Sequence, residues 1–119
     1  MHKILILIVS LNSIILSDQP LSVGFWNIEN LFDLENDPNK RDDEFSLGGK
    51  KNVTQEIYNL KIKNSAEVLS DLNVDILGLC EIENKAVLED LNKAFLGRNY
   101  TIIHYESPDE RGIDNAFLY

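Results

Sequence analysis

The residues best equipped for chemistry fall in three short stretches. "WNIENLFD" carries Asn27, Glu29, Asn30 and Asp33; "CEIEN" carries Glu81 and Glu83; "SPDERGID" carries Asp109, Arg111 and Asp114. Oxygen donors gathered at one place suit a hard divalent cation: Mg²⁺, Mn²⁺ or Ca²⁺. One carboxylate with an amide is enough for Mg²⁺, which keeps several waters and takes further oxygens from a substrate phosphate. An ion held this way polarises a phosphoryl oxygen and activates water. Acidic residues at strand ends are also commonly just solvated, and spacing alone leaves both readings open.

Overall charge narrows the field. The 119 residues carry a formal charge of -9 at neutral pH. A protein that grips long nucleic acid through its phosphates normally presents a basic face. The acidic balance argues against that mode of binding. It leaves room for a site in which a bound cation supplies the positive charge locally, and it suits a small phosphate substrate.

The three stretches sit where strands are expected to end. "LSVGFWNI" (21–28) reads as an apolar strand that turns at "ENLFD". Residues 34–53 are polar, with Pro38 and the Gly48–Gly49 pair, and form a long loop of the functional or mobile kind. A helix follows from the Thr54 cap, with Ile57, Leu60, Ile62, Ala66, Leu69 and Leu72 as its apolar positions. "VDILGLCEI" is the second strand. Asn84 caps a second helix over 85–96, whose apolar residues are Ala86, Leu88, Leu91, Phe95 and Leu96, and Gly97 stops it. "YTIIHY" (100–105) and "IDNAFLY" (113–119) are two more strands around the turn "ESPDERG". Strand–helix alternation makes this an α/β chain with a layered sheet. Helices on one face only would leave the sheet in need of a second layer.

The first 17 residues stand apart. Lys3 precedes an apolar run from Ile4 to Leu16, too short to span a bilayer comfortably and shaped like a secretory signal peptide. Cleavage after Ser17 gives a secreted or periplasmic product of residues 18–119, with no stable membrane anchor and one positive charge fewer. An uncleaved anchor or an internal strand is the alternative. Cys80 has no partner for a disulfide and is expected to be buried as a small hydrophobe. The sequons at Asn52 and Asn99 matter only in a eukaryotic secretory pathway.

Taken together and in order, the three motifs resemble the N-terminal half of the endonuclease/exonuclease/phosphatase superfamily, which has the DNase I-like fold. "WNIENLFD" is similar to the first-strand motif of its secreted bacterial members. "DILGLCEIENKAVLEDL" is similar to the segment that presents a metal-binding Glu, and "YESPDERGIDNAFLY" to the block that follows. The resemblance covers about residues 21–119. It implies a four-layer α/β sandwich of which this chain, truncated, supplies the first half. It implies Glu81 as the ligand of Mg²⁺ (or Mn²⁺ or Ca²⁺) and Asn27 as the residue that helps hold metal or phosphate. It implies Arg111 as a contact to substrate phosphate. Glu83 ranks behind Glu81 and can instead open the second helix, favouring its dipole. Arg111 has the alternative of an ion pair with Asp109 or Asp114, and Asp114 reads as structural.

The departures count too. The resemblance calls for an Asp-x-Asn and a late Asp-His pair, and neither is in this sequence. The two histidines are His2 and His104, and His104 reads as a packed strand residue rather than a general base. The resemblance thus points to a metal-dependent phosphodiester or phosphomonoester hydrolase acting on nucleic acid or another phosphodiester, most like a secreted endonuclease and inactive as a fragment. The alternative is a non-catalytic secreted binding module on the same fold, with a vestigial ion site. Which substrate, which metal and which oligomeric state stay open.

Overall fold

The structure is a computed structural model, described for residues 19–119. The leader read over 1–17 lies outside the described residues. Six elements follow in order: β1 (Val23–Leu31), α1 (Gln55–Leu72), β2 (Ile76–Ile82), α2 (Lys85–Ala94), β3 (Ile102–His104) and β4 (Asp114–Leu118). They form one mixed four-stranded sheet in the order β1-β2-β4-β3. β1 and β2 run parallel across the α1 crossover; β4 is antiparallel to both of its neighbours.

Both helix starts follow from their caps. Thr54 is extended and its side chain accepts from the Ile57 N–H; Asn84 does the same for Val87. α1 closes on Asn73 in the left-handed region (φ 47°), where a short polar side chain is tolerated. α2 is two residues shorter than expected: it ends at Ala94, and Phe95 is already extended.

The helices cover one face of the sheet. Tyr58, Ile62, Ala66 and Leu69 of α1 and Val87, Leu88 and Leu91 of α2 join Leu77, Leu79, Ile82, Ala116 and Leu118 in a single core. Half of the apolar face expected for α1 is therefore wrong. Ile57, Leu60 and Leu72 are exposed, while Tyr58 and Ser65 are buried. The seam is set by the sheet beneath, which takes the 58-62-65-66-69 stripe; the more apolar-looking 57-60 pair lies outside it. In α2, Val87 is buried where Ala86 was expected, and Leu96 is exposed.

The other face is bare, as the one-sided helix arrangement requires. Val23, Phe25, Ile103 and Phe117 are exposed on it. Gly78 sits between the last two aromatic rings of this stripe: a Cβ there would lie 2.6 Å from Phe25 Cδ2 and 3.3 Å from Phe117 Cε1. Cys80 shares this face and is half-buried rather than buried.

Two strand boundaries differ from expectation. β1 runs on to Leu31 instead of turning at Glu29, with consequences for the site described below. β3 keeps only three residues, because the Asn92 side chain takes both backbone groups of Tyr100, at 2.9 Å to its N–H and 2.8 Å to its C=O. The 34–53 loop is tied down. Phe45 stacks on Phe32 (centroids 4.2 Å apart), Leu47 N–H donates to Leu34 C=O, and Arg41 N–H to Glu110 C=O.

The revised α1 face makes a prediction. Leu69→Ala is expected to cost about 2–5 kcal/mol of folding stability, and Leu60→Ala within about 0.5 kcal/mol of nothing. Urea unfolding of the two variants measures both; equal losses would refute the observed face.

Candidate active site

At the tip of β1 and β2 the ladder breaks in both strands at once. Pairing runs in register from Val23–Ile76 to Asn27–Cys80, then resumes at Leu31–Ile82, so β1 spends two more residues than β2 over the gap. Three residues in the gap adopt left-handed backbone: Glu29 (φ 63°), Asn30 (φ 59°) and Glu81 (φ 62°). Non-glycine residues reach that region only against steric cost, and such strain gathers at functional sites.

The surrounding groups hold this conformation. The two Glu81 oxygens accept from β1: Oε1 from Asn27 Nδ2 at 3.0 Å, and Oε2 from the Asn30 backbone N–H at 3.0 Å. Asn27 is itself fixed, because its Oδ1 accepts from the Glu29 N–H at 2.7 Å. From the other side, Lys61 of α1 donates to the carbonyls of Glu29 and Asn30, the latter at 3.0 Å. Burial lowers the Lys61 pKa, and the charges of Glu29 and Glu81 work against that shift. Lys61 was missed from sequence, since a lysine on an amphipathic helix carries no signal of partners 32 and 31 positions earlier in the chain.

Arg111 reaches the same region. It is exposed and paired with Asp109, with Nη2 3.3 Å from Oδ2. The Asp109 carboxylate raises the guanidinium's pKa, and the charge of Glu81 adds to the rise. Of the two pairings considered from sequence, Asp109 is the one formed. Asp114 turns instead to His104, with His104 Nε2 2.9 Å from Asp114 Oδ2; both side chains are almost wholly buried. The structure thus brings Asn27 and Glu81 into direct contact, with Arg111 close enough for its charge to be felt. Cys80, beside Glu81, has its thiol pKa pushed up by burial and then by the Glu81 charge, the opposite of an activated nucleophile.

Glu83 does not open α2. It points into the knot under the 34–53 loop, where its Oε2 accepts from the Asp33 N–H at 2.6 Å. Asp33 Oδ2 accepts from Asn84, and Asp42 Oδ2 from the Asp37 N–H. Burial, then the charge of Asp33 and the contact with Asp42, push the Glu83 carboxyl up to about 8. It therefore holds a proton at neutral pH. Asp42 Oδ1, in the same knot, is buried and accepts from no N–H.

A divalent cation fits the Glu81 donors. Each carboxylate oxygen has two lone-pair directions, and each so far accepts one hydrogen bond. A second set of donors lies at β3 and β4: one atom each from His104, Glu106 and Asp114 fall within 4.8 Å of one another.

The fold is α/β, with a parallel strand pair that holds a clamped carboxylate at its tip and helices on one face. The chain belongs to the Endonuclease/Exonuclease/phosphatase family, whose model matches residues 22–119. No curated protein and no solved structure gives a match.

Glu83 supplies a second prediction. Its folded-state pKa of about 8 lies above its ordinary value of 4.5. Its contribution to stability is therefore complete below about pH 4.5 and lost as pH rises through 8. In EDTA, the wild-type chain should lose stability as pH rises from about 5 to 8, and Glu83→Gln should not. Gln is the neutral isostere, and its amide can donate to Asp42 Oδ1. A variant that follows the wild-type pH curve would refute a protonated Glu83.

Proposed function

We propose that this chain carries the metal- and phosphate-binding half of a Mg²⁺-dependent phosphodiester hydrolase, secreted or periplasmic and of endonuclease type. The observation that carries the reading is the Glu81 clamp. A half-buried carboxylate is held in one orientation by Asn27 Nδ2 and the Asn30 N–H, and a guanidinium lies within range of its charge. Glu81 is the ligand, with Mn²⁺ or Ca²⁺ as the alternative ions. When bound, the ion supplies a Lewis acid for a phosphoryl oxygen and offsets the charge that builds there. Asn27 keeps the carboxylate from swinging into solvent, and Arg111 can leave Asp109 to meet a substrate phosphate in bidentate fashion. The substrate is nucleic acid or another phosphodiester. The acidic chain favours contact over a few nucleotides rather than along a duplex.

One observation favours a second reading, a non-catalytic binding module on the same fold. Among the described residues, the one imidazole is paired with Asp114 through Nε2 and is almost wholly buried, with little contact with water.

The test is Glu81→Gln in the full-length protein, with Mg²⁺ saturating and a chromogenic phosphodiester as substrate. Activity is expected to fall by about 10²-fold or more, as it does when a group stabilising transition-state charge is removed. Arg111→Ala is expected to raise KM more than it lowers kcat, because it removes a phosphate contact made in the ground state as well. An unchanged rate for Glu81→Gln would refute the assignment. A wild-type protein that binds phosphodiesters without hydrolysing them would support the binding module.

A further inference from the structure

The Glu81 clamp is one of two places where donors converge. The second lies one strand further along the sheet, at the open end of the β3–β4 pair. β3 and β4 pair antiparallel, with His104 opposite Ala116. Continuing that register by two residues sets Glu106 opposite Asp114. Alternation along a strand puts residues 104 and 106 on one face of the pair, with 114 and 116 beside them. The hairpin thus gathers an imidazole and two carboxylates on one side, and their donor atoms fall within 4.8 Å of one another.

Three features distinguish this group from a solvated acidic patch. It contains an imidazole, which borderline transition metals prefer and Mg²⁺ or Ca²⁺ do not require. Two of its members are fixed: the His104 side chain is 5% exposed and that of Asp114 is 0% exposed. Their contact is held further by the Ser107 N–H, which donates to Asp114 Oδ1 at 2.8 Å. One member of the group is reachable from water. Glu106 is 60% exposed and lines a cavity of about 320 Å³ with Asp33, Asp37, Glu83 and Lys40. Carboxylates outnumber cations around that cavity, which favours a positive ion within it.

We infer that His104, Glu106 and Asp114 form a second metal site, for Zn²⁺ or a similar borderline divalent ion, separate from the Glu81 clamp. The fit is close. Zn–N and Zn–O distances are about 2.0–2.1 Å, so neighbouring ligands of a tetrahedral ion lie about 3.3 Å apart. His104 Nε2 and Asp114 Oδ2 stand at 2.9 Å and need separate by only a few tenths of an ångström. Glu106 completes the set by leaving Lys40, whose ammonium is 3.5 Å from its Oε2. Three protein ligands leave one position to water, on the side of Glu106, which borders the cavity. Filled, the site pins both ends of the 105–113 turn, which carries Asp109 and Arg111. It would thereby tie the position of Arg111 to zinc without placing zinc on the substrate.

The experiment is a calorimetric titration of Zn²⁺ into the EDTA-stripped full chain, repeated with Glu106→Gln and Glu81→Gln. The Co²⁺ absorption of the same samples reports a four-coordinate ion. Glu106 is exposed, so its substitution leaves the fold intact. One equivalent of zinc is expected to bind the wild-type chain. Glu106→Gln should weaken that binding by about tenfold or more, and Glu81→Gln by less than about twofold. Three results would overturn the inference: no saturable zinc uptake, equal affinity in Glu106→Gln, or loss of binding in Glu81→Gln alone. The last would place the ion at the clamp. Because the clamp is probed separately by Mg²⁺-dependent hydrolysis, failure at one site does not mask failure at the other.

Discussion

Everything at the site depends on one hydrogen-bonded contact between neighbouring strands, that of the Glu81 carboxylate with Asn27 Nδ2 and the Asn30 N–H. A strand that simply continued its pleat would point Glu81 along the alternation of its neighbours. Here Glu29, Asn30 and Glu81 all take left-handed backbone, so the two strands bulge against each other. The bulge frees the Asn30 N–H from the ladder and aims it at the carboxylate. Lys61 satisfies the carbonyls turned the other way. Strain, a freed donor and a half-buried cation thus form one unit whose outcome is a single fixed carboxylate orientation.

That unit needs a rigid floor, and the fold provides it on one side. Leu77 and Leu79 of β2 are fully buried beneath both helices, so the strand that ends in Glu81 is anchored by the centre of the core. Two residues on, Glu83 anchors the 34–53 loop through the Asp33 N–H and the Asp42 contact. The two glutamates of "CEIEN" therefore serve opposite ends. Glu81 is half-buried and held by Asn27 and the Asn30 N–H. Glu83 faces inward, protonated, and joins the loop to the sheet. Burial first, then the Asp33 charge and the Asp42 contact, set Glu83 apart.

Much of this was legible in sequence where local rules decide. Thr54 and Asn84 fixed both helix starts because a cap acts over three residues. The strand cores of β2 and β4 followed from apolar runs, and the bare sheet face followed from having helices on only one side. Glu81 and Arg111 came from family resemblance, while spacing alone left them among several acidic candidates. What sequence did not show is what tertiary structure decides. The α1 seam was misjudged because Tyr58 looks amphipathic, yet it is buried and bonded through its hydroxyl to Asp90. The bulge at Glu29–Asn30 was invisible because nothing in "WNIENLFD" requires left-handed backbone. The short β3 reflects the side chain of Asn92, eight positions before Tyr100.

The acidic chain makes sense if its activity is organised around bound cations rather than basic side chains. The central claim is that the Glu81 clamp is where a divalent ion sits. The direct measurement is paramagnetic broadening of backbone amide signals on adding Mn²⁺ to the ¹⁵N-labelled chain. The clamp predicts that broadening at low Mn²⁺ centres on Asn27, Asn30 and Glu81. Broadening confined to His104, Glu106 and Asp114, with the amides of Asn30 and Glu81 untouched, would contradict it.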